Sequence, residues 1–407
     1  MNRDDFEMLK SDIIYFDNGA TTLKPKILSL ATDDYYNHYS ANAHRGDYDI
    51  SLKVDSMYEG TRKKVRNFIN AKSNREIVFT NNCSDSLNKI IFGYYKNILK
   101  KGDEVIITKS EHASNVLPWY ELKDEIGIVI KYIELDNDNL VTIDNFKKAL
   151  SDRTKVVSLA HVTNVIGDKR DIKTISSIAH SLGADIIVDA AQSVAHTKVD
   201  VQDLDIDFMA FSAHKMYGPT GVGVIYGKEE KLNNMRPIIF GGGMNATFSS
   251  DGIRVYSDIP HCFEAGTPNI AGVIAFGSII DYLNEIGMEK IEEYEFSLKE
   301  YAVKRLKEID DIILYNEHSK GSIIAFNYKD IFAQDLAIYL NKYNICVRAG
   351  NHCSKILREE IGVKNTVRIS FGLFNTKDEI DKLISALKNN NLKRENNIKR
   401  IRGIIWT

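Results

Sequence analysis

From about Arg75 to Tyr226 the chain repeats one rhythm, a short apolar run followed by a longer amphipathic stretch. That alternation restricts it to α/β packing, because interleaved strands and helices bury their apolar faces against one another in layers. The runs at 76–80, 104–108, 129–134, 156–160, 185–189, 208–211 and 222–226 are short and rich in Val, Ile or Phe. Such runs predict strands buried on both faces, and hence a mostly parallel, seven-stranded central sheet. Apolar residues recur at helical spacing over 86–99, 144–150 and 175–182, which predicts helices flanking that sheet. After Gly266 the pattern changes. Long helices are predicted over 271–286 and 290–309, then an apolar run at 322–328, a helix near Leu336, a run at 345–348 and a last helix over 377–388. Together they form a second, smaller α+β unit.

Composition removes several classes of function. The 407 residues are 43% hydrophobic and 27% charged with only 6 prolines, as in an ordinary folded protein. A formal charge of -3 offers no global field for nucleic acid or an acidic membrane, and neither partner is expected. Residues 389–407 stand apart, with Lys393, Arg394, Lys399, Arg400 and Arg402 against the single acid Glu395. That segment reads as a solvated extension, or as a docking element for an acidic partner. Cys83, Cys262, Cys346 and Cys353 show no Cys-x-x-Cys and no repeated spacing, so neither a disulfide framework nor a zinc cage is expected. With no apolar leader and no long uninterrupted apolar stretch, the reading is a cytoplasmic protein without export or a membrane span.

The segment from Phe211 to Gly223 carries the first chemical signal. Lys215 follows a buried strand, lies between Ser212-Ala213-His214 and a glycine-rich turn, and can present a desolvated amine to a carbonyl cofactor as a Schiff base. Gly218, Gly221 and Gly223 do not have the spacing of a dinucleotide fingerprint, and no phosphate-binding G-x-x-x-x-G-K-[ST] occurs. The second signal is Asp189, a carboxylate ending an apolar strand. A buried carboxylate needs a partner, and a protonated pyridine nitrogen is one. Taken singly, Lys215 also reads as a surface lysine beside a turn and Asp189 as a strand-end cap.

Further motifs give the pair a context. They are Tyr15-Phe16-Asp17-Asn18-Gly19-Ala20, His44-Arg45-Gly46, Glu111-His112-Ala113-Ser114-Asn115, His161-Val162-Thr163-Asn164-Val165, Phe263-Glu264-Ala265-Gly266-Thr267-Pro268-Asn269 and Val347-Arg348-Ala349-Gly350-Asn351-His352-Cys353. With these, the chain from about Tyr15 to Leu387 resembles the fold-type I pyridoxal-phosphate enzymes of the class V aminotransferase group. More narrowly, it resembles the group II cysteine desulfurases of the SufS type.

The resemblance implies an α/β fold-type I transferase. It divides the chain into an N-terminal segment 1–24 packing with the small domain, a large cofactor-binding domain 25–270, a small domain 271–388 carrying the Cys353 loop, and the tail 389–407. The implied cofactor is pyridoxal 5'-phosphate. Lys215 would be its covalent anchor, Asp189 the partner of its pyridine nitrogen and Gln192 that of its ring oxygen. His112 would stack on it and assist proton movement. Ser84, with the helix start at Cys83, would hold the phosphate, helped by Ser212, His214 and, from the neighbouring subunit of a homodimer with shared active sites, Thr267. Arg368 would clamp the substrate carboxylate, with Arg348 and Asn164 in the same pocket. Cys353, on a segment able to form a mobile loop, would take sulfur from L-cysteine as a persulfide, leave L-alanine, and hand the sulfur to an acceptor protein of the SufE or SufU kind for iron-sulfur cluster assembly. A selenocysteine lyase or an aminotransferase on the same scaffold is the alternative. Three positions depart from the family pattern. Asn82-Cys83-Ser84 replaces Gly-Thr-Thr, putting a weak thiol donor in place of one phosphate-binding hydroxyl, Asn351 replaces a histidine, and Met244 stands where a glutamate makes a dimer contact.

Overall fold

A computed structural model describes residues 2–389. Of the tail 389–407 it therefore describes only Asn389, and the two readings of that segment fall outside the described residues.

Seven strands form the central sheet: β1 (Ile77–Thr80), β2 (Glu104–Thr108), β3 (Val129–Ile133), β4 (Thr154–Ala160), β5 (Asp185–Asp189), β6 (Phe208–Ser212) and β7 (Gly223–Gly227). Their order is β1-β7-β6-β5-β4-β2-β3. Only β7 runs against the rest, pairing antiparallel with both β1 and β6. β1, β2, β6 and β7 are buried along their whole length, which the unbroken apolar runs predict, and helices cover both faces. Seven expected runs thus correspond to seven strands.

The small unit is an antiparallel sheet of β8 (Ile312–Leu314), β9 (Ile323–Tyr328), β10 (Arg348–Gly350) and β11 (Thr366–Ser370), in the order β8-β9-β11-β10. Ile14–Tyr15 pairs in parallel with Ile345–Cys346 beside it, and Ile14 and Phe16 are buried in the small unit's own core. One expected boundary needs correction. The helix Ile270–Ile286, assigned by sequence to the small domain, packs on the helices Lys26–His38 and Asp49–Phe68 and is buried in the core of the large sheet. The change of packing partner falls nearer Gly287, which has φ 93° and joins it to the helix Met288–Leu306. Helical periodicity reports that a face is apolar, not which body it packs on.

Met244 is also turned inward. It is 1% exposed, and its sulfur accepts the Gly241 N–H at 3.3 Å. No single helix among the described residues is long and apolar enough to cross a membrane.

Candidate active site

The parallel strands all end at one edge of the sheet, and the expected site residues follow those ends. Cys83 and Ser84 follow β1, His112 follows β2, Asn164 follows β4, Asp189 closes β5, and Ser212, His214 and Lys215 lie where the chain leaves β6. Open α/β sheets bind ligands outside the carboxyl ends of their strands. Here the small unit lays Arg348, Cys353 and Arg368 over that edge. The result is a cavity of about 470 Å³ lined by every one of these residues and by Gln192. Thr267 is the expected residue that does not line it. It lies exposed elsewhere, near Asn42, whose amide donates to Thr267 Oγ1 at 3.5 Å.

Lys215 sits in a short turn of helix after β6. Burial disfavours its charge and lowers its pKa from the ordinary lysine value, against the pull of Asp189. Among the described residues its amine takes no hydrogen bond or ion pair. Asp189 is 5% exposed, and burial raises its carboxyl pKa. The Ala191 N–H and the Cys83 thiol both donate to its Oδ1, at 2.9 and 3.4 Å, which leaves Oδ2 without a donor among the described residues.

The Cys83 contact corrects the sequence expectation that this thiol replaces a phosphate-binding hydroxyl. Cys83 is the first residue of the helix Cys83–Ile90, capped by Asn82, and its N–H is held by Ser212 Oγ at 2.7 Å. That anchorage buries the side chain and turns the sulfur away from the helix entrance onto Asp189. Ser84 is exposed at the entrance and pairs with Ser114 Oγ at 2.5 Å.

His112 caps the next turn. Its Nδ1 accepts the Ser114 N–H at 3.1 Å, which places the proton of the neutral ring on Nε2. Burial, with Lys215, Arg368 and Arg348 nearby, lowers its pKa to about 4, so the ring is neutral at physiological pH. His214, bonded through Nδ1 to Thr21 Oγ1 at 3.2 Å, is lowered to about 4 by burial and Lys215.

On the opposite wall Arg368 is 2% exposed. It donates from Nη1 to Asn164 O at 2.9 Å and from Nη2 to Asp17 Oδ1 at 3.0 Å, while its Nε has no partner among the described residues. Gly19 makes room for it, since a Cβ there would lie 3.1 Å from the guanidinium carbon. Nothing local to its motif marks Asp17 for this role, because its partner lies more than 350 positions away in the chain.

The segment carrying Cys353, expected as a mobile loop, is hydrogen-bonded to the large unit. It is a short turn between β10 and the helix Lys355–Glu360, fastened on both sides. Asn164 donates to His352 O at 2.7 Å and accepts from Ser354 Oγ at 2.9 Å, and Cys353 O accepts the Ala113 N–H at 2.8 Å. Asn164, expected to contact substrate, thus spends its amide on the turn. His352 and Cys353 have φ of 53° and 58°, a left-handed pair that costs each residue about 1 kcal/mol or more and that these bonds hold in place. The Cys353 side chain is left exposed at the cavity mouth.

The donor set fits pyridoxal phosphate. Gln192 donates from Nε2 to Gly19 O at 2.9 Å, while its buried Oε1 has no partner among the described residues, an acceptor suited to a ligand hydroxyl. Asp189 Oδ2 is open to a protonated ring nitrogen, the Lys215 amine is open to an aldehyde, and the start of the helix Cys83–Ile90 with Ser84 and His214 suits an anion.

Comparison with known proteins agrees with this arrangement. The family model for aminotransferase class V matches residues 14–383. A probable cysteine desulfurase of Halalkalibacterium halodurans is 41% identical over 384 residues, 94% of each chain. The apo structure of a cysteine desulfurase from Thermococcus onnurineus superposes with a TM-score of 0.92 at 37% identity, covering 96% of this chain and 97% of the other. A cysteine desulfurase from Escherichia coli gives 0.90 at 34% identity, covering 97% and 98%. With an amine, a carboxylate and a thiol meeting in one cavity, and relatives of this similarity along nearly the whole chain, the protein belongs to the cysteine desulfurases of the class V aminotransferase family.

Proposed function

We propose that this chain, loaded with pyridoxal phosphate, converts L-cysteine to L-alanine and carries the sulfur away as a persulfide on Cys353. The observation that supports this most directly is that Lys215 from the large unit and Cys353 from the small unit line one cavity. Lys215 would hold the cofactor covalently and Asp189 through its ring nitrogen, Gln192 through its ring oxygen, and Ser84, the Cys83 helix start, Ser212 and His214 at the phosphate end. When bound, the cofactor supplies an electron sink for the substrate's Cα.

The chain does the rest. Arg368, backed by Asp17 and Asn164 O, presents its remaining N–H groups to the substrate carboxylate, with Arg348 beside it. The Lys215 amine would take the proton from the substrate's Cα and return it after sulfur transfer, a task suited to a lysine whose charged form burial disfavours. His112, neutral and protonated on Nε2, would lie against the cofactor and assist proton movement at the substrate. Cys353 Sγ, as the thiolate, bonds to the substrate sulfur. The Cβ–S bond breaks with its electron pair left on carbon, and protonation of Cβ completes the methyl group of alanine.

The reading extends to a homodimer with Thr267 reaching the neighbouring subunit's phosphate site. Its exposed position outside its own cavity supports this, as do the exposed Phe240, Phe248, Ile253 and Val255. A reducing cytoplasm and a SufE- or SufU-like acceptor serving iron-sulfur cluster assembly complete the proposal, because a persulfide on an exposed cysteine must be kept from oxidation and passed on.

The test is incubation with L-cysteine, with alanine quantified and the persulfide located by mass spectrometry of Cys353 peptides. Cys353→Ser should abolish sulfur release while keeping the cofactor absorbance. Full activity in that variant would defeat the assignment.

A further inference from the structure

Cys83 opens its helix on the floor of the cavity and touches two other floor residues. Its N–H donates to Ser212 Oγ at 2.7 Å and its thiol to Asp189 Oδ1 at 3.4 Å. The Ala191 N–H reaches the same oxygen at 2.9 Å. A carboxylate attached by one rotatable bond can exchange its two oxygens, but two donors converging on Oδ1 from different elements fix which one faces the cavity. We propose that Cys83 is a positioning residue for Asp189, its thiol pinning the carboxylate so that Oδ2 meets the ring nitrogen of the cofactor. This rests on the cofactor reading above and adds to it a role for a residue that departs from the family pattern.

The chemistry is consistent with a thiol as a permanent donor. Burial, and then the Asp189 charge, push the Cys83 thiol well above its ordinary range, so it keeps its proton while Asp189 is ionised. A serine hydroxyl at this position sits on a shorter bond to Cβ and would not span the same gap from a backbone fixed by Ser212. Cys83 is 6% exposed and Gln192, whose Oε1 lacks a partner, is 3% exposed. These floor side chains are therefore buried, and there a weak donor aimed at a charge counts for more than it would in water.

The experiment compares holoenzyme carrying Cys83→Ala, Cys83→Ser, Asp189→Asn or Cys83→Ala with Asp189→Asn. Equilibrium dialysis gives the cofactor dissociation constant, and titration of the visible cofactor band without substrate gives its pH midpoint. Cys83→Ala should weaken cofactor binding about threefold to tenfold, the net scale of one ordinary hydrogen bond. It should also raise the midpoint, because a freely rotating carboxylate holds the ring-nitrogen proton less well. Cys83→Ser should fall between, and Cys83→Ala should add nothing to the midpoint in the Asp189→Asn background. An unchanged dissociation constant and midpoint, or equal effects in both backgrounds, would overturn the proposal. Should Cys83→Ala not fold, the infrared S–H stretch of the unsubstituted holoenzyme, assigned by its loss in Cys83→Ser, decides the matter. A hydrogen-bonded frequency is expected, and a free-thiol frequency overturns the proposal. Absence of any cofactor band in the unsubstituted protein would defeat the cofactor reading instead.

Discussion

Arg368 shows what a single residue in this site depends on. Its fork is held from behind by Asn164 O and Asp17, and the absence of a side chain at Gly19 lets it come close. Lysine carries the same charge without the planar fork. Arg368→Lys should therefore raise KM for L-cysteine by about tenfold or more, the worth of a lost bidentate contact, while the cofactor spectrum stays as it was. Steady-state kinetics with an absorbance scan checks both. Among the site residues, the ones legible in the sequence were those whose chemistry is local to a motif: Lys215 after its strand, Asp189 at a strand end, His112 in its turn. The direction of the Cys83 thiol was not legible, because it is set by Ser212, 129 positions away.

At the scale of elements, the site is held by what braces the strand ends. Glu111 is paired with Arg170 in the interior, and Arg170 also donates to Thr108 Oγ1 and Ser110 Oγ at 2.8 Å each. Glu111 Oε2 takes the Ala160 N–H and the Asn115 amide at 2.8 Å each, tying the end of β2 to the end of β4 directly beneath His112 and Asn164. Arg170→Met leaves Glu111 buried without its counter-charge and should cost about 3–5 kcal/mol, read as a lower denaturant midpoint. The Cys353 turn is the other braced element. Asn164→Ala removes the bonds to His352 O and Ser354 Oγ and should release the left-handed pair. Thiol reagents should then label Cys353 several-fold faster, while kcat falls because the nucleophile is no longer held over the cavity. Equal labelling rates in the two proteins would mean that the turn is held by other contacts. A short Gly-Asn-His-Cys segment reads as mobile in the sequence, because the bonds that fasten it come from β2 and β4 ends far away in the chain.

For the whole molecule, four histidines couple folding to pH. Burial, the leading cause in each, lowers His112 and His214 to about 4, with Lys215 adding to both, and lowers His161 and His352 to about 3. In the unfolded chain each titrates near its ordinary value of about 6.5. The folded values lie below the unfolded ones, so the unfolded chain binds more protons in between. The stability these groups contribute is complete above about pH 6.5 and is lost as pH falls toward 4 and 3, by about 1.4 kcal/mol per pH unit for each histidine. Urea midpoints should be level near neutrality and drop steeply between pH 6 and 4. A flat profile there would show that these rings are not held neutral by the fold. What the sequence determined by itself was the layered sheet and the inventory of reacting groups, since buried runs and motif chemistry are properties of neighbours along the chain. Tertiary structure alone decided that the helix Ile270–Ile286 joins the large core, that the Cys353 turn is braced by Asn164, and that the Cys83 sulfur meets Asp189. Each of these is a contact between distant segments, and its energy depends on a packing geometry that local periodicity does not encode.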